Sequence, residues 1–404
     1  MSSDRVNTSP HGDIRHALET AKRAEIDPFI VMDVMRAAAA REASGQRVIH
    51  MEVGQPSTPA PQAARRRVVA ALETETLGYT LALGMPELRQ RIAGLYQSWY
   101  GLTIDPARIV VTSGSSAAFV LGFLALFDVG DRVALPSPGY PCYRHILTAL
   151  GVGSELLQTT SEDRWMPTAT QIEKAATADS SLKGLLLASP NNPTGTMLTP
   201  ERLAEVVAVC ERRGLWFISD EIYHGLTWGV PQDTALRHSP DVIVINSFSK
   251  YFSMTGWRVG WMVVPEQLVR TVERLAQNLY IAPPTIAQVA AIGAFDGTAE
   301  LEANSRIYAA NRDLLLAEFP KLGLDKIVPA DGAFYLYVDV GAYTSDSLAF
   351  TKRMLEETGV AATPGLDFDP ARGARYVRFS YAGSTSEMSE AVDRLRNWDV
   401  LEQK

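Results

Sequence analysis

Cysteine is scarce in this chain. There are two in 404 residues, Cys142 and Cys210, far apart and in no Cys-x-x-Cys pair. A disulfide framework is thereby excluded, and a reduced, cytoplasmic setting is expected. The six histidines show no metal-ligand spacing, so no metal site is expected. Basic excess is missing too. The 38 lysines and arginines against 46 acids give a net charge of −8, with no footprint for nucleic acid. No apolar run is long enough to span a membrane, so no membrane partner is expected. The opening residues, Met1-Ser-Ser-Asp-Arg-Val-Asn-Thr, have no apolar core of a signal peptide. Neither internal repeats nor low-complexity tracts occur. What is present is ordinary globular composition, 46% hydrophobic and 21% charged. The length suits a large core and two domains.

From about residue 61, short apolar runs alternate with helical segments. The runs are 109–111, 133–135, 184–188, 215–219, 242–245 and 259–263; helical patterns such as 117–127 and 200–212 fall between them. This alternation predicts an α/β fold, a mostly parallel sheet covered by helices on both faces. Beyond Pro283 the chain turns helical, then places extended runs at 333–339 and 375–381 among helices. Residues 27–43 read as a helix and 48–53 as a short extended run. The expected division is a large domain over 61–295, a smaller α+β domain from 24–60 with 296–404, and a loose arm over 1–23.

Several strand ends carry residues suited to chemistry. The stretch Asn246 to Gly260 follows the apolar run Val242–Ile245 and delivers Lys250 into a loop, with Ser247 three residues before it and Arg258 eight after. Loops beyond such strands are where open α/β sheets keep their sites. Gly114-Ser115-Ser116 opens a helix after a strand, and free N–H groups there with serine hydroxyls suit an anion. Serine N-capping alone would explain the same residues. Tyr140 leaves a Pro-rich turn, where it either packs or stacks on a flat ring. Asn192 sits in the turn Ser189-Pro-Asn-Asn-Pro-Thr-Gly195. Asp220 ends a buried apolar run, a costly place for an acid without a partner; Tyr223 follows. Gly54, before Gln55-Pro56, allows close approach to a ligand or simply a turn. Arg378 lies in an alternating run, and its planar fork suits a carboxylate.

Together these motifs resemble the class I/II aminotransferases, pyridoxal-phosphate (PLP) enzymes of fold type I, the aspartate aminotransferase-like architecture. The resemblance runs from about Ile26 to Asp393, in the family's motif order. It implies PLP as cofactor, carried on Lys250. It also implies a phosphate cup of Gly114, Ser115, Ser116, Ser247 and Arg258, and stacking by Tyr140. Asn192 and Tyr223 would bond the phenolic oxygen, and Asp220 the ring nitrogen. Arg378, with Gly54 and Asn192, would take the substrate carboxylate. Catalysis would fall to Lys250, Asp220 and Tyr223. Leu77-Gly78-Tyr79-Thr80 resembles the family segment that crosses a homodimer interface, so Tyr79 would serve the partner's cofactor phosphate. The implied activity moves an amino group between an L-amino acid and a 2-oxo acid. A carbon–sulfur β-lyase or an aminocyclopropane-carboxylate-synthase-like enzyme could use the same residues. A PLP-binding transcription regulator would need a basic DNA-binding module, and only about sixty mostly non-basic residues precede the large domain. Lys250 has to lose its proton near neutral pH, and the nearby Arg258 and the imine linkage itself are expected to favour that.

Overall fold

The computed structural model describes residues 20–402. Most of the expected arm, 1–19, lies outside the described residues. The strands are β1 (Ile49–His50), β2 (Ile109–Thr112), β3 (Arg132–Ser137), β4 (Gly153–Gln158), β5 (Leu182–Ala188) and β6 (Trp216–Asp220). They continue as β7 (Ile243–Ser247), β8 (Gly260–Val263), β9 (Tyr335–Asp339), β10 (Val360–Ala361), β11 (Thr363–Pro364) and β12 (Tyr376–Ser380). The first five α-helices are α1 (Ile30–Ala43), α2 (Gln62–Thr74), α3 (Pro86–Tyr100), α4 (Ser115–Leu126) and α5 (Pro141–Ala149).

Seven strands form the main sheet, in the order β2-β8-β7-β6-β5-β3-β4. Only β8 runs against its neighbours, antiparallel to both β2 and β7. The inner strands β5, β6 and β7 are buried almost throughout. Strands covered on both faces need apolar side chains at every position, which is why the sequence shows them as unbroken runs. The edge strand β4 is different. Its Gly-Ser-Glu-Leu-Leu-Gln is mostly half-buried and gives no apolar run, so sequence periodicity misses it.

The parallel order has one consequence for function. The chain exits from β2, β3, β5, β6 and β7 all open on the same edge of the sheet. Two smaller sheets face that edge. In one, β12 lies between β11 and β9, with Arg378 opposite Thr363 and Tyr337. In the other, β1 pairs in parallel with β10, and Ser380 N–H bonds the Met51 carbonyl at 2.7 Å. Those pairings carry Gly54 to the neighbourhood of Arg378. The first long helix begins at Ile30, later than the expected Asp27. Pro28 disfavours helical geometry at Asp27, and Phe29 is the extended N-cap residue.

Candidate active site

One cavity at this edge gathers most of the residues singled out above. Gly54, Ser115, Ser116, Tyr140, Asn192, Asp220, Tyr223, Lys250, Arg258 and Arg378 all line it. Gly114 and Ser247 lie just behind its wall. Tyr79 lies apart, 85% exposed.

The anion end is built on α4. Its N-cap residue is Gly114, at φ 80°, with no side-chain cap. The first N–H groups of α4 are therefore free for a ligand. A β-carbon on Gly114 would stand 2.5 Å from Arg258 Nη2, so the glycine makes room for the guanidinium. Arg258 itself is held by a 3.0 Å bond from Nη1 to the Thr255 carbonyl. Ser247 is buried and gives its hydroxyl to Ser249 Oγ (2.8 Å) and the Val259 carbonyl (3.1 Å). Ser249, which the sequence reading passed over, faces the cavity instead.

The opposite end is built around Asp220, the last residue of β6. It is 3% exposed. Tyr143 Oη donates to its Oδ2 at 2.5 Å and Ile222 N–H to its Oδ1 at 3.0 Å. Burial nevertheless pushes the carboxyl up to about 6, against those bonds and the Lys250 amine. A buried acid under such strain calls for a cationic partner. Tyr143 also meets Tyr140 edge-on, ring centres 5.2 Å apart. It was not singled out from sequence, although it follows Tyr140 by one turn of α5.

Lys250 sits between these ends. Its amine donates to the Gly54 carbonyl at 2.5 Å. Its pKa falls to about 7, chiefly by burial, then by the charges of Arg378 and Arg258, with Asp220 opposing. Arg258 acts as the sequence suggested, but desolvation and Arg378, which the sequence did not offer as causes, both outrank it. At neutral pH a substantial share of the amine is therefore in its free, nucleophilic form, which an ordinary lysine is not.

Arg378 is 2% exposed, at the centre of its small sheet. Its guanidinium carbon stands 4.4 Å from the Tyr335 ring centre and 4.7 Å from that of Phe368. Nη1 bonds Asn192 Oδ1 at 2.8 Å; Nη2 bonds the Glu52 carbonyl and, at 3.2 Å, Thr363 Oγ1. Nε is buried without a partner. A planar cation between two rings is oriented to bind an incoming carboxylate. Arg375, in the short turn just before the same strand, is exposed and pairs with Asp339. Tyr335 was also missed. It bonds Tyr223 Oη at 2.7 Å and fills the space where Gly54 has no side chain. The strand carrying it was visible in sequence, but nothing there marked which tyrosine points inward.

An anion cup, an aromatic ring, a strained buried carboxylate and a lysine amine of lowered pKa are the groups a phosphorylated pyridine aldehyde requires. Fold and site together define a PLP-dependent transferase of fold type I. Residues 46–395 match the model of the family "Aminotransferase class I and II", and the chain belongs to that family. It is similar to a valine–pyruvate aminotransferase of Mycobacterium tuberculosis, 48% identical over 94% of this chain and 98% of that protein. A crystal structure of an aminotransferase from Mycobacterium tuberculosis superposes with a TM-score of 0.91, at 48% identity, over 94% of this chain and 98% of that one. An aspartate aminotransferase from Thermus thermophilus, solved with maleate, gives 0.88 at 30% identity, over 93% and 98%.

The chain is therefore a PLP-dependent aminotransferase acting on amino acids and 2-oxo acids. Nothing favours the lyase alternative. When bound, the cofactor supplies an electron-withdrawing ring that acidifies the Cα–H of the amino acid. Among the described residues, no helix is long and apolar enough to cross a membrane.

Proposed function

We propose that this aminotransferase takes L-amino acids with uncharged, mainly apolar side chains and uses pyruvate or a similar 2-oxo acid as acceptor. One observation carries the reading. The cations lining the cavity are Lys250, Arg258 and Arg378, each with a task in the core reaction, while Phe29, Val31, Met32 and Met35 bring an apolar wall. Among the described residues, no cation lining the cavity is left for a distal carboxylate. In related enzymes a distal carboxylate can be met from the partner subunit, and the segment Asn278–Pro284, which in this reading approaches the site, has no arginine or lysine either. The similarity to a valine–pyruvate enzyme supports the same class. Alanine formation from pyruvate, read against a panel of donors, is the test. Valine and its neighbours in size should react well and aspartate poorly. A panel in which only aspartate and glutamate react would overturn the reading.

In this reading Arg258, Ser115, Ser116, Gly114 and Ser247 form the phosphate site, and Tyr140 stacks on the ring. Asn192 and Tyr223 hold the phenolic oxygen. Asp220 keeps the ring nitrogen protonated. Lys250 carries the cofactor and, once released, moves the Cα proton. Arg378 clamps the α-carboxylate, with Asn192 and Gly54 beside it. Arg378→Lys should raise the KM for every amino acid about 10²-fold, since one or two charge-assisted bonds at about 1.5–3 kcal/mol each are lost. Steady-state kinetics with amino acids and their decarboxylated amines checks this. A variant that handles amino acids normally has the clamp elsewhere.

The working unit is proposed to be a cytoplasmic homodimer with shared sites, each chain divided at 61–295 against 24–60 with 296–404. The β1–β10 pairing, which ties the two ends of the chain together, supports that division. The exposed apolar side chains support the dimer. Tyr79 is 85% exposed, with Leu81 at 62%, and Val69 and Leu72 on α2 at 58% and 62%. The loop is not slack, since Thr285 Oγ1 holds the Gly78 carbonyl at 2.5 Å and Gln288 Nε2 holds Thr80 Oγ1 at 2.9 Å. A held loop presenting an apolar patch suits an interface. Lys250→Ala and Tyr79→Ala each spoil both sites of their own homodimer. Co-refolded in equal amounts, they should recover up to about a quarter of wild-type activity, from one good site in each mixed dimer. Heterodimers proven by mass spectrometry yet still inactive would place Tyr79 outside the partner's site.

A further inference from the structure

The apolar wall of the cavity hangs on one distant carboxylate. The helix α1 has no side-chain cap of its own. Its first two N–H groups, Ile30 and Val31, donate instead to Asp367, to Oδ1 at 3.2 Å and Oδ2 at 3.3 Å. Asp367 is 1% exposed and follows β11 by a short turn. Its carbonyl accepts from Arg144 Nη2 at 2.7 Å. A negative charge at a helix N-terminus is favourable, and here it satisfies two N–H groups that would otherwise lack partners. The next residue, Phe368, lies against the Arg378 guanidinium. Its carbonyl accepts from Gly139 N–H at 3.1 Å, one residue before Tyr140. From the other side, Phe29 meets Tyr140 edge-on, ring centres 5.8 Å apart.

One dipeptide therefore touches both ends of the substrate's place. Phe368 orients the group that would take the carboxylate. Asp367 fixes the start of α1, from which Phe29, Val31, Met32 and Met35 reach the cavity. We propose that Asp367 is a specificity-positioning residue: it sets the distance between the carboxylate clamp and the apolar wall, and so selects the size of the amino acid's side chain. The proposal rests on the apolar-substrate reading above.

The test uses the cofactor-loaded enzyme and the single-turnover half-reaction with alanine, 2-aminobutyrate, valine and leucine. Asp367→Asn keeps the shape but turns an amide NH₂ toward a helix N–H. It should weaken apparent valine binding about five- to tenfold, the size of a lost cap, while alanine, too short to need the wall, changes by less than about twofold. Ile30→Pro attacks the same latch from the helix side. Proline is tolerated in the first turn of a helix, and it removes the Ile30 donor without touching Asp367. It should shift the series in the same direction. Hydrogen exchange should quicken over 30–35 in Asp367→Asn. A uniform loss across all four amino acids, or no change in either variant, overturns the proposal. So does unchanged exchange over 30–35. Failure of the apolar reading looks different: wild type itself would then show no preference for valine over aspartate, whatever the variants do.

Discussion

Lys250→Ala should abolish turnover, with a fall of at least about 10⁴-fold, the upper range for a positioned proton-transfer group. The amine lines the cavity, and its pKa of about 7 leaves a substantial share of it unprotonated at neutral pH. Alanine removes both the covalent attachment of the cofactor and the base for the Cα proton. Borohydride reduction of the wild-type holoenzyme, followed by peptide mapping, should put the label on Lys250. A label on Lys183 or Lys352 instead would sink the assignment. The titration has a sign that can be checked separately. Since burial and two guanidinium charges lower the amine's pKa, covalent uptake of PLP by the cofactor-free chain should rise through about pH 7 and level off above it. An ordinary lysine would keep gaining up to about pH 10.

Asp220→Ala should retain some cofactor and lose most of the half-reaction rate. Leaving a buried cation without its counter-charge costs about 3–5 kcal/mol, a ~10²- to ~10⁴-fold fall in rate. Stopped-flow absorbance with a single amino acid reads this directly. Lower cofactor affinity at an unchanged single-turnover rate would contradict the role. The cofactor-free chain should behave in the opposite sense. Its Asp220 pKa, about 6, lies above the ordinary carboxyl value. The folded state then holds the proton more tightly than the unfolded one. This group's contribution to stability is full below pH 4, declines as pH rises toward 6, and stays low above it. Asp220→Asn should therefore be at least as stable as wild type without cofactor at pH 7 or above, by thermal melting.

Much of the site was legible because its residues sit where strands end. An apolar run followed by Ser-x-x-Lys, or one ending in Asp-Glu-Ile-Tyr, is a local signal, since a parallel sheet requires buried strands and sends every exit to one edge. The order of motifs then identified the family. Other parts were not local. Tyr143 and Tyr335 look like any packed tyrosine until the fold sets one against Asp220 and the other against Arg378 and Tyr223. Ser249 and Ser247 differ only in which hydroxyl turns inward.

The sequence by itself determined the α/β class and the family, and it singled out Lys250, Asp220 and Arg378, because each lies in a contiguous run beside or within a strand. Only the tertiary structure decided what brings them to working order. The free amine of Lys250 depends on desolvation first, which no count of neighbouring charges predicts. The poise of Arg378 depends on rings from two other segments, and the placement of α1 on a carboxylate 337 residues away. Burial and long-range hydrogen bonds are properties of the packed chain, and no window of sequence contains them.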